Sequence, residues 1–317
     1  MPASRTYFDR VAGRADRSEE VFGMRIEKIF VAGAGLMGGG ITQVCAQAGY
    51  DVVMRDLSDE IVNRALENIR WSTSKLVEKG RVQGSVDEIM GRIEAVTDLS
   101  AAGDADFVFE AIVEDLDAKR RLFSELDEIC PARAILATNT SAIPITEIAA
   151  ATGRAPKVVG THFFSPVPIM KVVEIVAGLL TSGDTMESAE QLGRSLGKET
   201  IRVNRDVAGF LLNRISFPST VEAIKLVEAG VASVEDVDKG MRLGFGRPMG
   251  PFETVDLAGL DVALGALEAV YEETGDEKFC PPMLLRRKVR VGHLGRKTGI
   301  GWYEYDRDGK KIGPADR

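Results

Sequence analysis

Two residues twelve positions apart, His162 and Glu174, carry the densest chemical information in the 317-residue sequence. Glu174 interrupts "MKVVEIVAG", a run of apolar and β-branched residues that reads as a buried strand. An ionised carboxylate in such surroundings costs several kcal/mol unless something pairs with it. His162 lies near the end of "KVVGTHFF", and only "SPVPI" separates the two runs. That link is too short for a parallel crossover, so the strands should run antiparallel at one side of a sheet. His162 and Glu174 can then face one another near the sheet's edge, where the carboxylate would fix the ring's tautomer and prepare it for general-base work. Residue types alone leave the bland alternative open: a glutamate satisfied by backbone donors or an arginine, and a histidine that merely ends a strand. The other histidine, His293 in "VRVGHLGRK", stands in a basic segment without an acidic neighbour and reads as a surface residue.

A second motif weighs on that choice. "FVAGAGLMGGG" sets Gly33, Gly35 and Gly38 in G-x-G-x-x-G register, with Ala34, Leu36 and Met37 between them, after a strand and before the helical "ITQVCAQAG". The first glycine permits the tight turn, the second lets backbone approach a pyrophosphate, and the third allows close helix packing. The helix N-terminus would face the phosphates. The next strand, "YDVVMRD", ends on Asp56, which can accept hydrogen bonds from ribose hydroxyls and would repel the extra phosphate of NADP. NAD is therefore the expected cofactor and NADP the less suited one, with Arg55 beside Asp56 softening the preference. A hydride acceptor next to a general base is what alcohol oxidation requires, which favours the catalytic reading of His162. Ser141 follows the strand "AILATN", where strand ends open into the ligand crevice of such sheets, and Asn213 falls in the first helix of a second domain. By type alone, both serve as caps or local hydrogen-bond formers.

The elements that must position these residues alternate from Ile26 onward. Candidate strands are "KIFVAGAG", "YDVVMRD", "DADFVFEAI", "RAILATN", "KVVGTHFF" and "MKVVEIVAG", with helical stretches between most of them. The pattern predicts an α/β fold with a Rossmann-type, doubly wound sheet and antiparallel edge strands over residues 24–205. Residues 206–317 read as an all-helical C-terminal domain, with a capping box offered by "SVED" at Ser233. Residues 1–23 are polar and read as a poorly ordered extension without the apolar core of a secretory leader. A net charge of −8 argues against nucleic acid as a partner. No apolar run approaches the ~20 residues of a membrane span. Cys45, Cys130 and Cys280 are far apart, which suits free thiols in a reducing cytoplasm and neither a disulfide framework nor a zinc site.

Taken together, "VAGAGLMGGG", "FEAIVEDLDAK", "TNTSAIPITEIA", "GTHFFSPVPIMKVVEIV", "FLLNRI", "GRPMGPFETVDLAGLD" and "GRKTGIGWYEY" resemble the L-3-hydroxyacyl-CoA dehydrogenases, especially their short-chain bacterial 3-hydroxybutyryl-CoA branch. The resemblance runs from about Ile26 to Tyr305. It implies an NAD-dependent enzyme that interconverts an (S)-3-hydroxyacyl-CoA and its 3-oxo form, usually as a homodimer through the helical domain. Carried over position by position, the family's His–Glu pair falls on His162 and Glu174, and its substrate-binding serine and asparagine on Ser141 and Asn213. Cofactor contacts fall on Gly33 through Gly38, Asp56, Glu114, Lys119, Ser141 and Lys297, and CoA contacts on Ser72 and Lys79 in "STSKLVEKG". There are two departures: Ser165 replaces the asparagine of the family's H-F-F-N-P loop, and Ala208 stands where proline is usual. Within the same family the alternatives are a dehydrogenase of non-CoA hydroxy acids, of gulonate or carnitine type, and a non-catalytic protein like the lens crystallins of this fold.

Overall fold

The computed structural model describes residues 26–315; the expected extension over residues 1–23 lies outside the described residues. In chain order, the first unit comprises β1 (Lys28–Ala32), α1 (Leu36–Gln47), β2 (Asp51–Arg55), α2 (Asp59–Glu78), α3 (Val86–Met90), β3 (Ile93–Val96), β4 (Phe107–Glu110), α4 (Leu116–Ile129), β5 (Ile135–Thr138), α5 (Ile145–Ala149), β6 (Val158–Phe163), β7 (Val172–Val176), α6 (Gly183–Ser195) and β8 (Glu199–Val203). Its strands form one sheet in the order β3-β2-β1-β4-β5-β6-β7-β8. The strands from β3 to β6 are parallel, β7 runs antiparallel to β6, and β8 runs parallel to β7. The order reverses between β1 and β4, so the crevice beyond their C-terminal ends is the switch point where such sheets bind ligands.

Burial on both faces follows from the period of two along the strands. Ile29, Val31, Phe107 and Phe109 pack on one face against Ile41 and Val44 of α1 and Met186 and Leu192 of α6. Phe30, Ala32, Val108 and Leu136 pack on the other against Leu122 and Phe123 of α4 and Ile145 and Ile148 of α5. Two strands had escaped the sequence reading. β3 ("IEAV") is only partly buried, and β8 ("ETIRV") alternates charge with apolar residues, so neither shows the continuous apolar run of the inner strands. Because β8 lies outside β7, Glu174 sits one strand in from the edge, paired in register with Ile201. The pair therefore lies near the edge, as expected, but β8 and not β7 forms the edge itself.

After residues 204–211 the chain forms α7 (Leu212–Glu228), α8 (Val234–Phe245), α9 (Pro251–Ala258), α10 (Leu260–Thr274), α11 (Met283–Arg290), β9 (Tyr303–Tyr305) and β10 (Lys311–Pro314). Ser233 caps α8 by accepting from Asp236 N, while its own hydroxyl donates to the Asp236 carboxylate instead of closing the reciprocal box. This unit is helical but not purely so, because β9 and β10 pair as an antiparallel hairpin. Its aromatic residues alternate, Tyr303 and Tyr305 inward and Glu304 outward, which is strand periodicity that a helical context obscured. Asp256 of α9 anchors the hairpin, accepting from Trp302 N (2.8 Å), Tyr303 N (2.9 Å) and the Tyr305 hydroxyl (2.9 Å). Burial nonetheless pushes the Asp256 carboxyl above the usual range.

Replacing Asp256 with alanine strands three buried donors. At ~1–3 kcal/mol for each group left unpaired, partly offset by removing the buried carboxylate's own desolvation cost, unfolding should become easier by about 2–4 kcal/mol. Urea denaturation reads this directly, and a shift below about 0.5 kcal/mol, an ordinary surface-substitution effect, would remove Asp256 as the hairpin's anchor.

Candidate active site

His162 on β6 stands directly opposite Glu174 on β7 in the antiparallel register. The imidazole Nδ1 is 2.7 Å from Glu174 Oε2, and both side chains are buried. The other carboxylate oxygen, Oε1, accepts from the backbone N–H groups of Leu211 (3.1 Å) and Leu212 (2.8 Å), where α7 begins. The two sequence-level readings of Glu174 are thus not rivals: one oxygen faces the imidazole while the other is satisfied by backbone donors. A helix N-terminus adds its partial positive charge to the same carboxylate.

The backbone pays for this aim locally. Gly209 (φ +75°) and Phe210 (φ +45°) are consecutive left-handed residues that turn the chain so that the next two amides point at Glu174. A bulky residue in that region costs of order 1–3 kcal/mol and persists only where its surroundings over-determine it. Here the buried Phe210 ring meets the His162 ring edge-on at 5.6 Å. Nothing in the sequence singles out Phe210, since a glycine followed by an aromatic residue is common.

With Nδ1–H directed at the carboxylate, Nε2 is the unprotonated, accepting position of the ring, a tautomer assigned from this geometry. It lies 3.2 Å from Ser141 Oγ, and the Phe164 ring packs on the imidazole at 4.5 Å. Ser141 is held in turn by Glu114, whose Oε1 accepts from Ser141 N (2.8 Å) and Thr140 Oγ1 (2.5 Å). Lys119 Nζ is 3.3 Å from the other Glu114 oxygen and 2.5 Å from Glu110, and the Lys119–Glu110 pair is almost wholly buried. Glu110 also accepts from Thr138 Oγ1 (2.6 Å) and Ile112 N (2.8 Å). The sequence reading missed Glu110. Its signal was close to that of Glu174, a glutamate within or at the end of an apolar run, here "FVFE".

The glycine turn follows β1. An added Cβ would lie 2.4 Å from Ala111 O at Gly33, which has φ +106°, and 1.8 Å from Gly33 O at Gly38, whereas at Gly35 it would meet nothing. The N-terminus of α1 has no side-chain cap at Gly35, and Leu36 beside it is exposed. Open space before uncapped amides is what a pyrophosphate needs, so these residues fit a dinucleotide. Asp56 Oδ2 accepts from Ala34 N (2.7 Å), tying the second strand's acid to the turn. Arg55 is turned to Thr97, donating to its carbonyl at 3.0 Å.

The remaining candidates lie further out. Asn213 is half-buried in the first turn of α7, beside Leu212, and Ser165 is exposed two residues after β6. Ser72 lies half-buried on α2, and Lys79 is its exposed C-terminal cap residue. Lys297 is held in the helical unit by both oxygens of Asp261 (2.6 and 2.7 Å), outside the His162 network. Ala208 is buried with Val270 and Phe279.

Comparison with known proteins gives two family models, the 3-hydroxyacyl-CoA dehydrogenase NAD binding domain over residues 28–207 and its C-terminal domain over residues 209–305. A probable 3-hydroxybutyryl-CoA dehydrogenase of Bacillus subtilis is 44% identical over 284 residues, 89% of this chain and 99% of that one. Another from Deinococcus radiodurans is 45% identical over 278 residues, covering 88% and 100%. The crystal structure of (S)-3-hydroxybutyryl-CoA dehydrogenase PaaH1 from Ralstonia eutropha superposes with a TM-score of 0.83 at 40% identity, covering 89% of this chain and all of that one.

Gly38→Ala tests the turn. The added methyl cannot coexist with Gly33 O, so the turn must open, and NADH affinity measured by fluorescence titration should fall at least about tenfold, or 1.4 kcal/mol. Unchanged affinity in the folded variant would remove this turn as the dinucleotide site.

Proposed function

The chain belongs to the 3-hydroxyacyl-CoA dehydrogenase family, and from that premise we propose that it interconverts (S)-3-hydroxybutyryl-CoA and acetoacetyl-CoA with NAD. One observation carries the reading: His162 presents Nε2 to the Ser141 hydroxyl while its Nδ1 is held by a buried carboxylate.

In this mechanism the substrate hydroxyl lies between Ser141 Oγ and His162 Nε2. His162 takes the hydroxyl proton as the C3 carbinol becomes a carbonyl, and NAD, when bound along the glycine turn, supplies the hydride acceptor. Glu174 stabilises the imidazolium that results, as the acid behind a catalytic histidine does in hydrolytic triads. The two α7 amides keep Glu174 in place during the proton transfer. Asn213, at the start of that same helix, orients the substrate oxygens with Ser141. In the reverse direction protonated His162 donates to the 3-oxo group. With NAD bound, Asp56 would hold the ribose hydroxyls, Glu114 and Lys119 would order the wall beside it, and Lys297 would contribute from the helical unit after leaving Asp261. Ser72 and Lys79 on α2 hold the CoA, with Lys79 opposite its phosphates and Ser165 near the acyl group. Arg55 turned to Thr97 leaves Asp56 to decide for NAD over NADP.

Substrates without CoA, of gulonate or carnitine type, would leave Ser72 and Lys79 without a role. A crystallin-like structural protein would have no use for a buried imidazole held at both nitrogens. We further place the protein in the cytoplasm as a homodimer through the helical unit. Three free cysteines support the compartment. Exposed Leu243 and Phe245 on α8, and exposed Leu257 and Val262, leave apolar side chains on the helical unit for such a contact. Among the described residues, no helix is long and apolar enough to cross a membrane.

NADH oxidation should be rapid with acetoacetyl-CoA, fall with longer 3-oxoacyl-CoA chains, and be absent in gulonate oxidation assays. NADPH should serve poorly. Turnover of gulonate without turnover of any acyl-CoA would overturn the substrate assignment. His162→Gln should lower kcat by about the 10²–10⁴-fold of lost acid–base catalysis, and near-normal turnover would refute the base.

A further inference from the structure

Lys198 enters β8 directly after α6 and is only 7% exposed. Its Nζ donates to Val167 O (2.6 Å) and Met170 O (2.8 Å). Among the described residues no carboxylate lies within ion-pairing distance of it. A buried ammonium without a counter-charge is an expensive group. Burial accordingly pushes the Lys198 amine down to about 8. Its two hydrogen bonds therefore point to a specific task.

Both carbonyls belong to residues 164–171, the turn between β6 and β7 that begins immediately beyond His162 and Phe163. This turn carries Phe164, which packs on the imidazole, and the exposed Ser165. It is held at few points. Val167 is buried against α1, so closely that a Cβ on Gly40 would lie 2.8 Å from the Val167 Cβ. Ile169 N and Met170 N both fold back onto Pro166 O. At its start Phe163 N donates to Asn139 Oδ1 (3.0 Å). Lys198 is the side chain that gathers carbonyls from the middle and the far end of the turn, next to the Glu199 N–H that donates to Lys171 O (2.7 Å).

We propose that Lys198 is a positioning residue: it suspends the 164–170 turn by its two carbonyls and so sets the Phe164–Ser165 wall against which the acyl group is bound, without touching substrate. The identity of that acyl group rests on the function proposed above. Lys198→Met is one atom shorter than the lysine, fills most of its volume and has no donor. Lys198→Gln is one atom shorter, keeps an amide donor and reaches only one carbonyl.

Losing a charge-assisted pair of hydrogen bonds should raise KM for acetoacetyl-CoA about tenfold in Lys198→Met, with kcat lowered less than about threefold and KM for NADH within about twofold. Lys198→Gln should give an intermediate rise of about threefold, which keeps the test decisive if the methionine variant does not fold. Hydrogen exchange gives a readout independent of substrate: amides of residues 163–173 should exchange faster in the variants, and those of β1 and β4 should not. Unchanged KM and unchanged local exchange in a folded variant would overturn the proposal. So would a loss of kcat with KM intact and exchange accelerated throughout the molecule, because that marks Lys198 as merely structural. If wild-type protein turns over no acyl-CoA, the substrate reading fails while the exchange experiment still decides the role of Lys198.

Discussion

One buried carboxylate joins the two units of this protein to its chemistry. Glu174 lies inside the sheet, yet its two oxygens look in different directions, one to the imidazole of β6 and one to the first amides of α7. Burying that charge is tolerable only because both oxygens are met by donors, and breaking either contact would leave an uncompensated polar group in the interior. The same atoms that orient the imidazole therefore also dock the helical unit on the sheet. Imidazole orientation and interdomain attachment share a single energetic term, which accounts for the strained left-handed residue at Phe210.

A second charge system, buried at its inner pair, approaches the imidazole from the other side. Glu110, Lys119 and Glu114 place a cation between two acids, and the outer acid gathers Thr140 and Ser141 at the end of β5. Ser141 is where the two systems meet, since its backbone is fixed by Glu114 while its hydroxyl faces Nε2. Rigid backbone at the strand ends thus holds the imidazole and the serine hydroxyl, an arrangement suited to the preorganised electrostatics of the proposed reaction. The adjoining turn, carrying Phe164, is held by a third buried charge, Lys198, through main-chain carbonyls alone.

Much of this was legible before any coordinates. A glycine turn after an apolar strand has few physical uses, and the acid ending the next strand narrows them further. The short proline-containing link between two apolar runs forces antiparallel pairing, and a period of two then sets which residues can meet. The inner strands were readable because burial on both faces demands unbroken apolar sequence. β3 and β8 were not, because strands at the sheet's flanks tolerate charge and lose that signature. The β9–β10 hairpin was hidden because three residues are too few for periodicity to stand out against flanking helices.

What the sequence determined by itself was local: which inner runs are strands, where the backbone must be glycine, and which of two histidines can face an acid. These follow from sterics and from the high cost of isolated charge, and both act over a few residues. Only the tertiary structure decided the long-range partners. That Glu174 serves α7 as well as His162, that Lys119 bridges Glu110 and Glu114, and that Lys198 reaches across 31 and 28 positions to two carbonyls depends on packing. Hydrogen-bond donors in the backbone are identical at every residue, so no sequence pattern marks the ones that a fold brings to a buried charge.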